Sequence, residues 1–280
     1  MVIEGMIRKA AYVAVLISVA YLSGCASRGA SEAVSSGNAR EVIYAEPDTF
    51  MEKSKFREAA KKFEEVDRDH PYSPHARRAI AMSAFAYYKA GLYEEAIQAA
   101  KRYSTLHPGT KEAALAQHII AMSYYDRITD PTRDQGRTRK AHEELQKLVR
   151  RFPDSSYAIK ARNRIKIATD MLAAAEMKVG RYYLEQKTYL AAINRYRIVI
   201  TNYQTTAQVE EALMRVAEAY MALGINSEAQ TATAVLGHNF PDSKWYRYAF
   251  KLIKTGGLKP REDKTSWISR SWRKVKPGSS

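Results

Sequence analysis

Residues Tyr87 to Pro108 read YYKAGLYEEAIQAAKRYSTLHP, and the spacing of residue types in this stretch decides the fold prediction. If Pro108 is numbered position 32 of a repeat, Tyr87 falls at position 11, Gly91 at position 15 and Ala96 at position 20. An aromatic side chain at 11 packs on the second helix, glycine turns the chain, alanine lets the helices approach, and proline ends the second helix. The stretch therefore predicts a helix–turn–helix unit.

The same frame fits four other segments of the chain. Copies begin at residues 40, 173 and 210, and a further copy fits through its second helix, after an insertion at 129–140. The matching residues are Phe50, Ala59, Phe63 and Pro71; Ala141, Leu145, Leu148 and Pro153; Tyr183, Ala192 and Tyr196; and Tyr220, Gly224, Ala229 and Pro241. Amphipathic helices alone are the alternative source of such alternation, but agreement at fixed positions favours a repeat of roughly 34 residues. We predict an all-α, tetratricopeptide-like helical-hairpin solenoid of about five repeats.

The chain divides into segments by composition and breaker residues. Front repeats are expected at 40–154, and a linking helix at 155–186 opens the rear repeats at 155–254. Further helices are expected at 49–68, 75–90, 93–106, 111–127, 138–151, 188–202, 207–222, 226–238 and 242–254, the last as a cap. We predict that residues 255–280 form a disordered tail. Its Trp267 and Trp272 lie among cations, so a plain solvated tail and a segment that binds a partner groove or an anionic lipid surface both remain open.

The N-terminal 24 residues have the pattern of a signal peptide. The apolar run Ala10–Leu22 is about 20 Å long as a helix, too short for the hydrocarbon core of a bilayer. Leu22-Ser23-Gly24-Cys25 resembles the lipobox of bacterial lipoproteins, in which the cysteine receives lipid. The alternative is an ordinary cleaved signal with an incidental cysteine. We expect lipid on Cys25, a flexible tether at 25–39, and, because Ala26 is not aspartate, attachment to the outer membrane on its periplasmic face.

Composition narrows the possible partners. The net charge of +15 favours acidic partners or anionic surfaces without identifying either. A single cysteine excludes an intramolecular disulfide and a multi-cysteine metal site. No nucleic-acid recognition fold accompanies the charge, so nucleic acid is not expected.

Signs of catalysis are missing from the sequence. His142-Glu143-Glu144 lacks the second histidine of a zinc-protease motif, and no glycine-rich phosphate loop or nucleophile elbow is present. Asp126, Asp130 and Asp134 recur every four residues, but Pro131 breaks any helix that would align them. We expect no catalytic residue, no metal and no cofactor, and therefore a protein that is not an enzyme.

Helical repeats of this kind offer a concave groove lined by the first helix of each pair. Its groove positions in the front repeats include Tyr44, Arg78, Phe85 and Tyr88, where aromatics alternate with charges and suit an extended peptide. Packing of Phe85 inside the superhelix is an equally good interpretation. The rear repeats offer Met177, Arg181, Leu184 and Glu218, a less aromatic surface.

Lipobox, repeats and linking helix together resemble the BamD (ComL) family of lipoproteins of the outer-membrane β-barrel assembly machinery. The similarity covers about 40–250 and includes features beyond generic repeats: Tyr87-Tyr88-Lys89, Arg133-Asp134-Gln135, Phe152-Pro153-Asp154-Ser155-Ser156-Tyr157, Glu176 with Tyr182-Tyr183, and Asn194-Arg195. The tail beyond about 255 exceeds compact members of this family.

The resemblance implies a periplasmic scaffold without catalysis. It would bind the POTRA domains of the barrel-forming subunit BamA through its rear repeats, with Arg195 contributing. Its front repeats would help receive unfolded outer-membrane proteins, beside other assembly lipoproteins and the Cys25 lipid anchor. The alternative is a cell-envelope coordination lipoprotein of the Tol-Pal, peptidoglycan or division type.

Overall fold

The structure, a computed structural model, describes residues 44–128 and 135–273, which belong to two compact units divided between Gly91 and Leu92. Within these ranges the chain consists of helices joined by turns and extended segments, and it contains no strand. The all-α prediction is confirmed. The sequence also predicts a division into front and rear repeats at 154–155, and this stays a prediction. The boundary between the two compact units is a different one and lies inside the second repeat.

The first unit contains α1 at residues 44–52, α2 at Phe56–Asp69 and α3 at Pro74–Lys89. Helices α2 and α3 pack along each other, with Phe63 fully buried between them. Helix α3 begins where predicted because the Ser73 hydroxyl accepts a hydrogen bond from the Ala76 N–H at 3.1 Å, and because the proline at the start of the helix has no N–H that would need a partner.

A break at residues 53–55 divides the helix that the sequence predicts over 49–68. Ser54 adopts a φ of 57°, in the left-handed region, and turns the chain between α1 and α2. Neither glycine nor proline marks this position, so the local residue types predict one continuous helix. The correction also supplies the first repeat with its missing turn.

One backbone geometry recurs at position 15 of the repeat frame. Ser54, Gly91, Lys187 and Gly224 have φ values of 57°, 74°, 58° and 74°. Glycine adopts this conformation freely, whereas a residue with a side chain loses about 1–2 kcal/mol there. Four copies therefore share one turn irrespective of residue type, which supports the tetratricopeptide-like frame.

The second unit holds nine helices among its described residues. They are α4 (Tyr93–Leu106), α5 (Glu112–Tyr125), α6 (Gly136–Arg151), α7 (Ser156–Glu185), α8 (Tyr189–Asn202), α9 (Gln208–Ala222), α10 (Asn226–Asn239), α11 (Lys244–Thr255) and α12 (Trp267–Arg273). From α4 to α10, each helix packs most extensively on its neighbours in the chain. Such nearest-neighbour packing is typical of a repeat array, and the helix positions agree with the prediction to within about two residues.

Helix α7 is the long linking helix that the sequence predicts. It runs for 30 residues and begins where the Ser155 hydroxyl accepts a hydrogen bond from the Ala158 N–H at 3.1 Å. Gly180 lies against the ring of the fully buried Tyr196 on α8, and a Cβ at Gly180 would lie 2.5 Å from that ring. Helices α7 and α8 can pack this closely only because position 180 has no side chain.

The C-terminal segment differs from the expected disordered tail over residues 256–273. Ile268 is fully buried, and the indole N–H of Trp267 donates to the Tyr220 hydroxyl at 2.9 Å. The side-chain amide of Gln204 donates to the Ser271 carbonyl at 3.1 Å. The sequence could not reveal this packing because the apolar face of α12 finds its partners on α8 and α10, far away along the chain.

Candidate functional site

Arg195 lies on α8 with its side chain 41% exposed, at the edge of the α7–α8 hairpin. Its guanidinium forms an ion pair with Glu176 of α7, with 3.2 Å between Nη1 and Oε2. Because the pair is intramolecular, the predicted partner-binding arginine is held in place before any partner arrives. Tyr182 on α7 and Leu190 on α8 are also exposed, so apolar side chains are available on the same hairpin.

A set of ion pairs continues from α7 to α9. Arg181 of α7 contacts Glu211 of α9 at 2.9 Å. Arg215, on α9 itself, contacts Glu211 at 3.4 Å and Glu218 at 2.8 Å. Arg181 and Glu218, the two charged residues predicted to line the rear groove, are thus both held in ion pairs within the protein, and the acidic side chain of Glu211 is largely buried between two arginines.

The two apolar residues predicted for the rear groove are buried to different degrees. Met177 is fully buried in the core shared by α7, α8 and α9, and Leu184 is partly buried against the same core. The repeat frame assigns Met177 to the groove by its position, but in this repeat its side chain packs in the core with residues of the neighbouring helices. The structure therefore removes Met177 from the candidate surface.

In the first unit, Arg78, Phe85 and Tyr88 occupy one face of α3, separated by seven and three residues. Arg78 is exposed, while Phe85 and Tyr88 are partly exposed. Tyr44 differs from its prediction: it is only 3% exposed, and its hydroxyl donates to the His75 carbonyl. The ring belongs to the core, with the Arg78 guanidinium 5.3 Å from its centroid, so Arg78 covers Tyr44.

The structure also brings together a cluster of aromatic and basic side chains that the sequence frame did not identify. His118 on α5 stacks on Tyr157 of α7, with 4.7 Å between ring centroids. Arg164 of α7 lies 5.8 Å from the ring centroid of Tyr125 on α5. Lys160 is one turn from Arg164 on α7 and is exposed. We call His118, Tyr125, Tyr157, Lys160 and Arg164 the α5–α7 cluster.

The electrostatics of the α5–α7 cluster are dominated by unpaired positive charge. Burial, followed by the nearby Arg164 and Lys160 charges, lowers the pKa of His118 to about 4, so its imidazole is neutral at pH 7. No carboxylate lies within ion-pair distance of Lys160 or Arg164 in the part of the chain that the structure describes. The cluster can therefore accept an anionic group next to two aromatic rings.

A signal for this cluster is present in the sequence. Ala121-Met122-Ser123-Tyr124-Tyr125 parallels the residues around Tyr87-Tyr88 in the second repeat, which would have placed His118 and Tyr125 at groove positions 5 and 12. The displaced first helix of the third repeat, next to the 129–140 insertion, obscured this alignment.

The described residues offer no group of three or more His, Cys, Asp or Glu side chains able to hold a metal ion. His142, the candidate from the incomplete protease motif, has its Nε2 3.1 Å from the Thr169 hydroxyl and 3.4 Å from Gln146. Burial lowers the pKa of His142. These contacts join α6 to α7 and give the histidine a structural place.

Several predicted features lie outside the described residues. They include the signal peptide, Cys25, the tether at 25–39, and the Arg133-Asp134 part of the family motif. Between residues 44 and 273, leaving out 129–134, no helix combines the length and apolar character needed to cross a bilayer.

Comparison with known proteins identifies the family. The family described as "Outer membrane lipoprotein" matches residues 37–236. The outer membrane protein assembly factor BamD of Caulobacter vibrioides is 39% identical over 254 residues, covering 90% of this chain and 83% of the relative. BamD of Rickettsia prowazekii is also 39% identical, over 241 residues, covering 86% and 95%. Among solved structures, the TPR2AB-domain:pHSP90 complex of yeast Sti1 aligns at 18% identity with a TM-score of 0.43, covering 79% of this chain and 86% of that one.

The resemblance drawn from the lipobox and repeats is thus confirmed by independent similarity over most of the chain. The matched region contains α1 to α9 and most of α10, including Arg195 and the whole α5–α7 cluster. This chain belongs to the outer-membrane lipoprotein family whose relatives include the assembly factors named BamD.

Proposed function

We propose that the protein is a non-catalytic periplasmic scaffold of the outer-membrane β-barrel assembly machinery. The family to which it belongs supports the assembly role. In this proposal, the α7–α8 hairpin around Arg195 binds POTRA domains of a BamA-type subunit. The groove face of α3 and the α5–α7 cluster receive unfolded outer-membrane proteins, and lipid on Cys25 holds the scaffold at the membrane beside other assembly lipoproteins.

The observation that carries the docking proposal is the Arg195–Glu176 pair. Arg195 is exposed enough to reach a partner carboxylate, yet Glu176 restricts its rotamers. An arginine held in advance loses less side-chain entropy on binding, and it can share its remaining N–H donors with a second carboxylate. The exposed Tyr182 and Leu190 supply the apolar area that a specific protein interface needs.

A charge swap separates the binding role of Arg195 from its structural role. Arg195→Glu should weaken binding to purified POTRA domains at least tenfold, because it places two carboxylates together and repels an acidic partner. In the double variant Glu176→Arg/Arg195→Glu, the internal pair is restored in the opposite orientation, but the partner still meets a glutamate. We expect the double variant to keep the melting temperature of the wild type and to bind as weakly as Arg195→Glu.

The control for this experiment is Arg57→Glu, an equal change of charge at an exposed position of α2 in the other unit. It should leave POTRA binding within about twofold of wild type, as expected for a surface charge remote from an interface. Binding of the charge-swapped variant at the wild-type level would contradict the proposal, since Arg195 would then serve only the α7–α8 hairpin.

The proposed binding of unfolded outer-membrane proteins rests on the residues of the α5–α7 cluster. Extended chains bind grooves that combine aromatic surface with charged groups, and the α5–α7 cluster presents two tyrosines beside two cations without acidic partners. A peptide copying the last strand of an outer-membrane protein carries a terminal carboxylate that these cations can accept. Lys160→Gln/Arg164→Gln should weaken binding of that peptide about tenfold, and amidation of the peptide terminus should weaken it equally.

Arg162→Gln/Lys166→Gln is the matched control for the peptide experiment, because it removes two cations from the same helix outside the cluster. Equal losses in both variants would contradict a specific site and indicate general attraction by positive charge. Retention of binding by the amidated peptide, with loss in the Lys160/Arg164 variant, would move the contact from the terminus to acidic side chains of the peptide.

A further inference from the structure

The positive charge of the protein is concentrated at its C-terminal end. Residues 244–273 contain nine lysines and arginines and two acidic residues, a net charge of +7 out of +15 for the whole chain. Helix α11 has no acidic residue and carries four cations, all exposed: Lys244, Arg247, Lys251 and Lys254. We call these four side chains the α11 basic face.

The folded structure directs this charge to one side. Ala249 and Ile253 are fully buried on the opposite side of α11, which fixes the rotation of the helix. With 3.6 residues per turn, the four cations then share an outward arc. None of them pairs with a carboxylate among the described residues. Contacts within the fold therefore leave the charge of the face uncompensated.

Aromatic side chains border the α11 basic face on both sides. Tyr248 is 52% exposed on one edge and Phe250 is 40% exposed on the other. Trp245 packs edge to face with Tyr248 at 5.9 Å between centroids, and the Lys244 ammonium lies 5.0 Å from the Trp245 ring. Rings beside long basic side chains are suited to the boundary between lipid headgroups and acyl chains.

The tryptophans of the C-terminal segment do not take part in this surface. Trp267 donates to Tyr220, with the Arg197 guanidinium 4.7 Å from its ring, and Trp272 packs edge to face with Phe240 at 5.9 Å. The sequence suggested these two residues as lipid or partner contacts. In the folded chain they attach α12 to the core, and the surface of that kind lies on α11 instead.

We propose that the α11 basic face docks on an anionic lipid surface. Composition favours lipid over a protein partner, because lysine is depleted in protein–protein interfaces and three of the four cations here are lysines. A convex helix face with central cations and bordering aromatics matches a planar sheet of anionic headgroups. Contact at α11 gives the protein a second attachment to the membrane, independent of any lipid on Cys25.

The test is co-sedimentation of the chain spanning residues 26–280 with lipid vesicles. This chain contains every described residue and lacks Cys25, so no acyl anchor contributes. One set of vesicles is phosphatidylcholine alone, and the other contains about a third phosphatidylglycerol. We expect binding to the anionic vesicles only, with a strong decrease as salt is raised.

Two variants of equal charge change provide the comparison. In the first, Lys244, Arg247, Lys251 and Lys254 are all replaced by glutamine; in the second, the exposed Lys53, Lys55, Arg57 and Lys61 of the first unit are replaced in the same way. Each cation near an anionic surface contributes about fivefold to binding, so the α11 variant should bind at least tenfold more weakly. The first-unit variant should stay within about threefold of wild type.

Tyr248→Ser supplies a variant with the charge intact, and it should reduce vesicle binding about threefold while the circular dichroism melting curve is unchanged. Equal losses in the α11 and first-unit variants, or equal binding to neutral vesicles, would overturn the proposal. So would an α11 variant that binds vesicles normally but loses an acidic protein partner, because the face would then be a protein interface.

Discussion

The two halves of α7 use charge in opposite ways. In the second half, Glu176 pairs with Arg195 of α8 and Arg181 pairs with Glu211 of α9. In the first half, Lys160 and Arg164 pair with no described carboxylate, and the exposed Ile159 and Ile167 lie on the same stretch of helix. One helix thus carries charges that join it to its neighbours and charges that have no carboxylate partner among the described residues.

This difference shows how a repeat scaffold can keep its neighbouring helices aligned and still present charges to a ligand. Ion pairs at partly exposed positions contribute little stability each, but they favour one alignment of neighbouring helices. Cations without a carboxylate partner form no ion pair that would stabilise the fold, and they repel one another. Their presence on the first half of α7, next to Tyr125 and Tyr157, is explained by binding more readily than by stability.

The largest expected effect concerns the close packing in the second half of α7. Gly180→Ala should lower the free energy of unfolding by about 3 kcal/mol, because the added Cβ would overlap the buried Tyr196 ring. Urea denaturation gives the value directly. Gly109→Ala is the control, since a Cβ there meets nothing within 4 Å, and it should change stability by less than about 0.5 kcal/mol. Equal effects would show that α7 and α8 are not packed as described.

The next largest effect is a pH dependence of stability, and it arises at His118, which packs on the first half of α7. The pKa of His118 is lowered to about 4 in the folded protein, from 6.5. Between these values the unfolded chain binds a proton that the folded chain does not, so stability is full above pH 6.5 and falls as the pH drops toward 4. We expect up to about 3 kcal/mol of this loss to disappear in His118→Asn. A residual slope should remain, because burial also lowers the pKa of His142.

NMR titration of the imidazole protons is the direct measurement for this prediction. Arg164→Gln should raise the pKa of His118, since Arg164 is the largest electrostatic cause of its lowering after burial. A His118 pKa near its ordinary value in the wild-type protein would contradict both the burial of the ring and the proximity of the two cations.

The smallest expected effect is the difference in stability between variants of two arginines, one from each half of α7. Arg181→Gln should cost about 1 kcal/mol, because it leaves the largely buried Glu211 with one partner instead of two. Arg164→Gln should cost less than about 0.5 kcal/mol, since it breaks no ion pair. Thermal unfolding of both variants in the same buffer measures the two losses of stability. Equal losses at the two positions would contradict the distinction between the halves of α7.

Much of the fold was predictable because each repeat marks its own boundaries. Prolines follow α2 and α4 close to the predicted residues, and Gly91 and Gly224 lie in turns between consecutive helices. The turns at Ser54 and Lys187 have the same backbone without a glycine. Only the repeat frame, and no local residue preference, could locate the turn at Ser54.

The candidate site was predictable only in part, because exposure depends on how each helix is rotated against its neighbours. Arg78, Phe85 and Tyr88 are at least partly exposed as expected, whereas Tyr44 and Met177 occupy groove positions in the frame and are buried in the structure. The partner of Arg195 is a glutamate 19 residues earlier in the chain. Spacing alone does not reveal such a pair when the two residues lie on different helices.

The most direct test of this division of labour is photo-crosslinking in living cells from two positions. A photoreactive amino acid at position 164 and another at position 195, each in the full-length protein, report what contacts the two halves. We predict that position 195 captures a BamA-type subunit through its POTRA domains and that position 164 captures newly made outer-membrane proteins. Capture of the same partner from both positions, or of neither partner from either position, would contradict it.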